Sequence, residues 1–177
     1  MSSKISDYFN PLTYEWFEKK YGKPTAVQKY AWPRIAEGEH VLVTAPTGSG
    51  KTLTAFLYAM DRLLSKSWET GKIRVLYISP LKALNNDIRK NLEEPLAELI
   101  KVFSHNTLEV PDIRVMTRSG DTSAADRRRM LNKPPAILIT TPESLNIMLT
   151  SQHGRDLFTG IKTVILDEIH AVADSKR

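Results

Sequence analysis

Val41-Leu42-Val43-Thr44-Ala45-Pro46-Thr47-Gly48-Ser49-Gly50-Lys51-Thr52 is the stretch that decides the fold. Val41 to Val43 is a short apolar run that reads as a buried parallel strand. Leu53 to Met60, largely apolar, reads as a buried helix. A strand, a glycine-containing loop, Gly-Lys-Thr and a helix, in that order, form the context of a phosphate-binding loop. Gly48 and Gly50 let the backbone turn its N–H groups inward, with Thr47 and Ser49 beside them, and the helix N-terminus adds partial positive charge. Lys51 is placed to reach the β- and γ-phosphates, and the Thr52 hydroxyl to hold Mg²⁺. Ala45 stands where the strict pattern has glycine, which leaves the cradle intact. An ordinary strand–helix turn would explain the glycines but not Lys51-Thr52.

The 177 residues suffice for one domain with a real core. Apolar residues at 41% and charged residues at 25% are ordinary for a globular protein. No apolar run approaches the ~18 residues that span a bilayer, and the N-terminus lacks a signal-peptide pattern. The expectation is a cytoplasmic protein without a membrane partner. Cysteine is absent, which excludes disulfides, zinc–thiolate sites and cysteine nucleophiles. A net charge of +5 permits a polyanionic partner without demonstrating one.

Upstream of the loop, Pro11–Tyr21 and Ala26–Glu37 read as helices, the second capped by Thr25 and carrying Gln28. Downstream, apolar runs at 73–78, 113–116, 136–140 and 163–166 read as four further strands, alternating with helical stretches. One of these, from Leu81 to about Val102, contains Pro95, which is expected to kink or divide it. Another is a short basic helix with Arg127, Arg128 and Arg129. Alternation of this kind argues a mostly parallel α/β sheet flanked by helices on both faces.

Ligands of open α/β sheets bind beyond the carboxyl ends of the strands. The last strand runs straight into Asp167 and Glu168. An acid there is the expected magnesium partner, and Glu168 is placed to orient or deprotonate an attacking water. Three other strand ends, at Ser79-Pro80-Leu81-Lys82, Arg118-Ser119-Gly120 and Thr141-Pro142-Glu143, offer hydroxyls, helix N-termini and two cations. Such groups contact a phosphodiester backbone without reading bases. Each alone would pass for a capped turn; as a row beside a nucleotide site they would track a strand. Arg127 to Arg129 suit a solvated face as well as a phosphate contact.

These residues resemble a known family. Ala45 to Thr52, Ser79 to Leu84, Thr140 to Glu143 and Asp167-Glu168-Ile169-His170 are similar to motifs I, Ia, Ib and II of superfamily 2 helicases. Gly22-Lys23-Pro24-Thr25 with Gln28 resembles the Q motif. The wording of motifs Ia, Ib and II, with Arg118 to Thr122 and Arg127 to Met130, most resembles the Lhr (large helicase-related) group, next to the Ski2-like helicases. That resemblance implies a P-loop NTPase fold of RecA-like type, with ATP and Mg²⁺ as cofactors. It implies that Gln28 contacts adenine, with Phe9 a weaker candidate to stack on it. Lys51 and Thr52 would serve triphosphate and metal, Asp167 the metal, Glu168 the water. His170 would couple the nucleotide site to the nucleic-acid path, which runs over Pro80, Lys82, Arg118, Gly120, Thr141, Pro142 and Glu143.

The expected unit is therefore one RecA-like ATP-binding domain over residues 1–177, with residues 1–40 as Q-motif helices leading into it. In the family, motif III and a second RecA-like domain with an arginine finger follow, so the chain reads as a fragment of a longer motor. The expected partners are that second domain and single-stranded or forked DNA, with RNA left open. A nucleotide-gated module that clamps a strand without processive unwinding is the alternative. Losing an arginine supplied from elsewhere costs ~10³–10⁵ in rate. The 177-residue chain is thus expected to bind ATP with little turnover, which a steady-state phosphate-release assay on it would check.

Overall fold

The computed structural model describes residues 4–46, 48–80, 82–106 and 109–169. Seven α-helices and four strands are found among them. They divide into two compact units, Met1–Ser67 with Leu96–Val110, and Trp68–Pro95 with Pro111–Arg177.

The first unit is helical. After a short 3-10 helix, Ile5–Tyr8, come α1 (Pro11–Tyr21), α2 (Ala26–Ala36) and α3 (Lys51–Leu64). Asn10 caps α1, accepting from the Leu12 N–H at 3.0 Å, and Pro11 sits at the first turn, where its missing N–H costs nothing. Gly22, at φ +75°, ends α1 in a conformation that residues with a Cβ avoid. The core is aromatic. Trp32, wholly buried on α2, meets Phe9 and Phe17 edge-on at 4.9 and 5.2 Å, and its indole N–H donates to the Thr54 carbonyl on α3. Asp61, also wholly buried, accepts from the Asn10 N–H at 2.8 Å and pairs with Arg62, tying α3 to the N-terminal segment.

The second unit holds a four-stranded, all-parallel sheet: β1 (Val75–Ile78), β2 (Val115–Arg118), β3 (Ile137–Thr140) and β4 (Thr163–Leu166), in the order β2-β3-β1-β4. β1 and β3 are buried throughout, as the central strands of a parallel sheet require. Ile73, Leu76, Ile78 and Leu138 form one cluster with Met130 of α5 (Ala124–Asn132) and Met148 of α6 (Pro142–Leu149). The short α7 (Gln152–Asp156) follows α6. Arg74 is buried but fully employed: its Nε donates to the Glu69 carbonyl and its Nη1 to that of Gly160.

Three differences from the sequence reading have physical causes. Residues 41–43 are not a strand; among the described residues no strand pairs with them, and Leu42 is 76% exposed. An extended segment without a neighbour leaves its N–H and C=O groups to water, so apolar side chains alone do not make it a strand. β4, paired among the described residues with β1 alone, similarly exposes Val164 and Leu166. The β2 strand lies two residues later than its apolar run, because Thr117 and Arg118 pair with Ile139 and Thr140. Pro95 does not end its helix: α4 runs unbroken from Lys82 to Asn106, with the division between the two units falling just after the proline. No helix among the described residues is long and apolar enough to cross a membrane.

Removing Trp32 tests the aromatic core. Trp32→Ala is expected to cost about 3–5 kcal/mol, read as a lower urea midpoint.

Candidate nucleotide and strand-end sites

Every α-helix with a described N-cap carries a side-chain cap except α3. Asn10, Thr25, Ser123, Thr141 and Ser151 cap α1, α2, α5, α6 and α7, whereas α3 begins at Gly50, which has no side chain to give. The first-turn N–H groups of α3 are thus left for something else, and a phosphate is the ligand they suit. Gly48 and Gly50 sit at φ +81° and +85°, the left-handed region the loop reading requires. The Lys51 ammonium donates to the carbonyls of Ala45 and Pro46 at 2.5 and 2.8 Å, so it lies inside the loop. Ser49 Oγ is buried there with no partner among the described residues, while the Ser49 carbonyl accepts from the Thr25 hydroxyl at 3.1 Å. Thr52 is exposed on the first turn. Thr47 and His170 lie outside the described residues.

Gln28 and Thr25 act as one device. The Thr25 hydroxyl accepts from the Gln28 N–H, and the Gln28 Oε1 accepts from the Thr25 N–H at 2.9 Å, a reciprocal capping box. The Gln28 amide is thereby buried with its Nε2 against the loop; a Cβ built on Gly50 would stand 2.9 Å from it. A glycine here admits the glutamine. Phe9 is a core residue, edge-on to Trp32 and Tyr58, with 6% of its surface exposed.

In the second unit the parallel register does the positioning. Arg118 pairs with Thr140, Thr140 with Ile78 and Ile78 with Leu166, so all four strands end in one row. Ser79-Pro80, Ser119-Gly120, Thr141-Pro142-Glu143 and Asp167-Glu168 therefore leave the sheet at the same edge. Ser79 N–H donates to the Thr140 carbonyl and Asp167 N–H to that of Ile78, extending the row by one residue. Lys82 opens α4, its side chain lying outside those described.

The row is not uniform. The Thr141 hydroxyl is buried and caps α6 through the Ser144 N–H, which answers for it structurally; Pro142 and Glu143 open the helix beside it. Arg118 differs from Arg74. It is equally buried, yet its Nε and Nη1 have no partner among the described residues. Burial, then the neighbouring Arg127, push its guanidinium below the usual arginine range. Arginine holds its charge in proteins, so a buried, unpaired one is suited to an anion. Arg127 is itself engaged, donating to the carbonyls of Thr122 and Gly120 at 2.9 Å each, so it braces the loop after β2.

Asp167 is oriented twice over. Its Oδ1 accepts from the Glu168 N–H at 2.9 Å and its Oδ2 from the Tyr77 hydroxyl at 2.5 Å. Burial, and then the bond to Asp167, push the Tyr77 hydroxyl far above the ordinary tyrosine range, so it stays a donor. Glu168 has a φ of +51°, an uncommon setting for a residue with a side chain, of a kind that gathers at functional sites. No group of three or more His, Asp or Glu among the described residues could hold a metal unaided. A single oriented carboxylate such as Asp167 is a donor magnesium can use, since that ion binds through one or two carboxylates plus phosphate and water. Tyr77 is the residue the sequence reading missed: within Val75-Leu76-Tyr77-Ile78 it counts as core, and its partner lies 90 positions away.

Residues 25–177 match the DEAD/DEAH box helicase family model. The chain is 48% identical over 99% of its length to the Lhr helicase/uracil glycosylase of Escherichia coli K12, of which it covers 12%. It is 50% identical over 92% of its length to the ATP-dependent helicase Lhr-Core of Methanocaldococcus jannaschii, of which it covers 20%. The structure of the Mycobacterium smegmatis helicase Lhr bound to ssDNA and AMP-PNP matches 98% of this chain with a TM-score of 0.90 and 49% identity, this chain covering 22% of that one. The chain thus spans about an eighth to a fifth of the length of these curated relatives.

Two glycine variants separate backbone strain from crowding. Gly48→Ala and Gly50→Ala each place a Cβ in the left-handed region and are expected to cost about 1–2 kcal/mol in a thermal melt. Gly50→Ala additionally displaces Gln28, and is expected to weaken discrimination of adenine from guanine nucleotides, where Gly48→Ala, with open space around it, leaves that preference unchanged.

Proposed function

The chain belongs to the DEAD/DEAH box helicase family, and we propose that it is the ATP-binding motor domain of an ATP-dependent helicase or translocase of the Lhr type. In this reading residues 1–177 are one RecA-like helicase domain of a longer chain, working with a second such domain. Its substrate is single-stranded or forked DNA, a reading supported by the ssDNA bound to the Mycobacterium smegmatis helicase Lhr.

The single observation that carries the proposal is the strand-end row. One parallel register brings the acids of motif II to the same sheet edge as three segments with the chemistry of backbone contact. Roles follow from the groups present. The uncapped start of α3, with Thr47, Gly48, Ser49 and Gly50, binds phosphate oxygens, and Lys51 leaves the carbonyls of Ala45 and Pro46 for the β- and γ-phosphates. Gln28, held by its capping box, reads the adenine. Thr52 and Asp167 hold magnesium; when bound, that ion neutralises the charge developing on the transferred phosphoryl group. Glu168 orients the attacking water and takes its proton.

Pro80, Lys82, Gly120, Pro142 and Glu143 line the strand path, and His170 couples it to the nucleotide site. Arg118, whose Nε and Nη1 lack partners among the described residues, takes a backbone phosphate. Thr141 contributes to that path mainly by fixing the start of α6. Contacts of this kind bind without reading bases, so RNA is separated from DNA by experiment.

The test is ATP hydrolysis by the full-length protein with no nucleic acid, with single-stranded DNA and with RNA. Strong stimulation by DNA, lost in Lys51→Ala and in Glu168→Gln, is the expected result. Stimulation by RNA alone would reassign the substrate, and hydrolysis indifferent to both would overturn the motor reading.

A further inference from the structure

β1 is apolar except for one hydroxyl. Val75, Leu76 and Ile78 pack as core, and Tyr77, 1% exposed, packs as tightly as they do. Phenylalanine would fill the same space. A buried phenol costs free energy unless it is hydrogen-bonded, so the tyrosine oxygen calls for its own explanation. It is partnered: Tyr77 Oη donates to Asp167 Oδ2 at 2.5 Å, the short length of a charge-assisted bond.

Tyr77 and Asp167 lie at the ends of adjacent strands. Tyr77 pairs with Ile165, so Asp167, two residues on, emerges on the same side of β4. Backbone bonds from Ser79 to Thr140 and from Asp167 to Ile78 hold both ends still. The tyrosine ring cannot shift within a close-packed core. Its hydroxyl is therefore a fixed point against which a carboxylate can be aimed. With Oδ1 held by the Glu168 N–H, the Asp167 carboxylate cannot rotate without breaking two hydrogen bonds.

We propose that Tyr77 is a positioning residue: its hydroxyl, fixed by the packed core, aims the remaining lone pairs of Asp167 at the metal. This rests on the reading of Asp167 as the magnesium acid.

The experiment uses the full-length protein and fluorescent AMP-PNP, titrated with Mg²⁺. Outer-shell partners of metal ligands are typically worth 10–100-fold in metal affinity or activity. Tyr77→Phe is expected to need about tenfold more Mg²⁺ for half-maximal binding, with the melting temperature and the binding in EDTA unchanged. A wild-type Mg²⁺ requirement in Tyr77→Phe would overturn the proposal. The reading is independent of hydrolysis, so a protein whose ATPase ignores nucleic acid would sink the motor reading while the Tyr77 result stood separately.

Discussion

Parallel pairing in a common register is the constraint on which the strand-end chemistry depends. Parallel strands must be joined by crossovers rather than hairpins, so every strand runs the same way across the sheet. All four carboxyl ends then emerge together, free of hairpin connections. Four segments separated by as many as 89 positions become neighbours without a contact having to be specified between them in sequence. The cost is that the central strands are buried on both faces, which is why β1 and β3 are nearly pure Val, Leu and Ile. Against that background each polar atom at the ends of these strands needs a reason, and most have one: Thr140 donates to the Arg118 carbonyl, Thr141 caps α6, and Tyr77 holds Asp167.

The helical unit solves a different problem. A loop that binds phosphate must leave N–H groups unsatisfied until its ligand arrives, yet stay folded. Here the loop's own lysine fills part of the space by donating to its carbonyls, and Thr25 clips the Ser49 carbonyl from outside. The capping box of α2 doubles as the support for Gln28. One side chain thus caps a helix and presents a donor toward the loop, and Gly50 is small because that donor is there.

Contrasts between chemically similar residues carry much of the functional reading. Arg74 and Arg118 are both buried arginines of the second unit; one has two carbonyls to satisfy it, the other has donors without partners among the described residues. Arg127, on a helix that reads equally as a solvated face or a phosphate contact, braces a loop. Phe9, offered as an adenine stacker, is spent in the aromatic core around Trp32. None of these assignments depends on residue type alone.

Local chemistry was legible in the sequence wherever the determining groups lie within a few positions of one another. The helices 11–21 and 26–36, the glycine loop, the Thr25 cap and the run from β4 into Asp167-Glu168 are all set by neighbours at short range, through periodicity, caps and φ preferences. The motifs likewise identified the family. The tertiary structure decided what needs a distant partner. Whether 41–43 is a strand depends on a neighbour to bond with, and the registry of Arg118 on Thr140 rather than on its apolar run depends on β3. Whether a tyrosine is core or a positioning group depends on a carboxylate 90 residues later. A hydrogen bond has two ends, and a sequence displays both only when they are close in the chain.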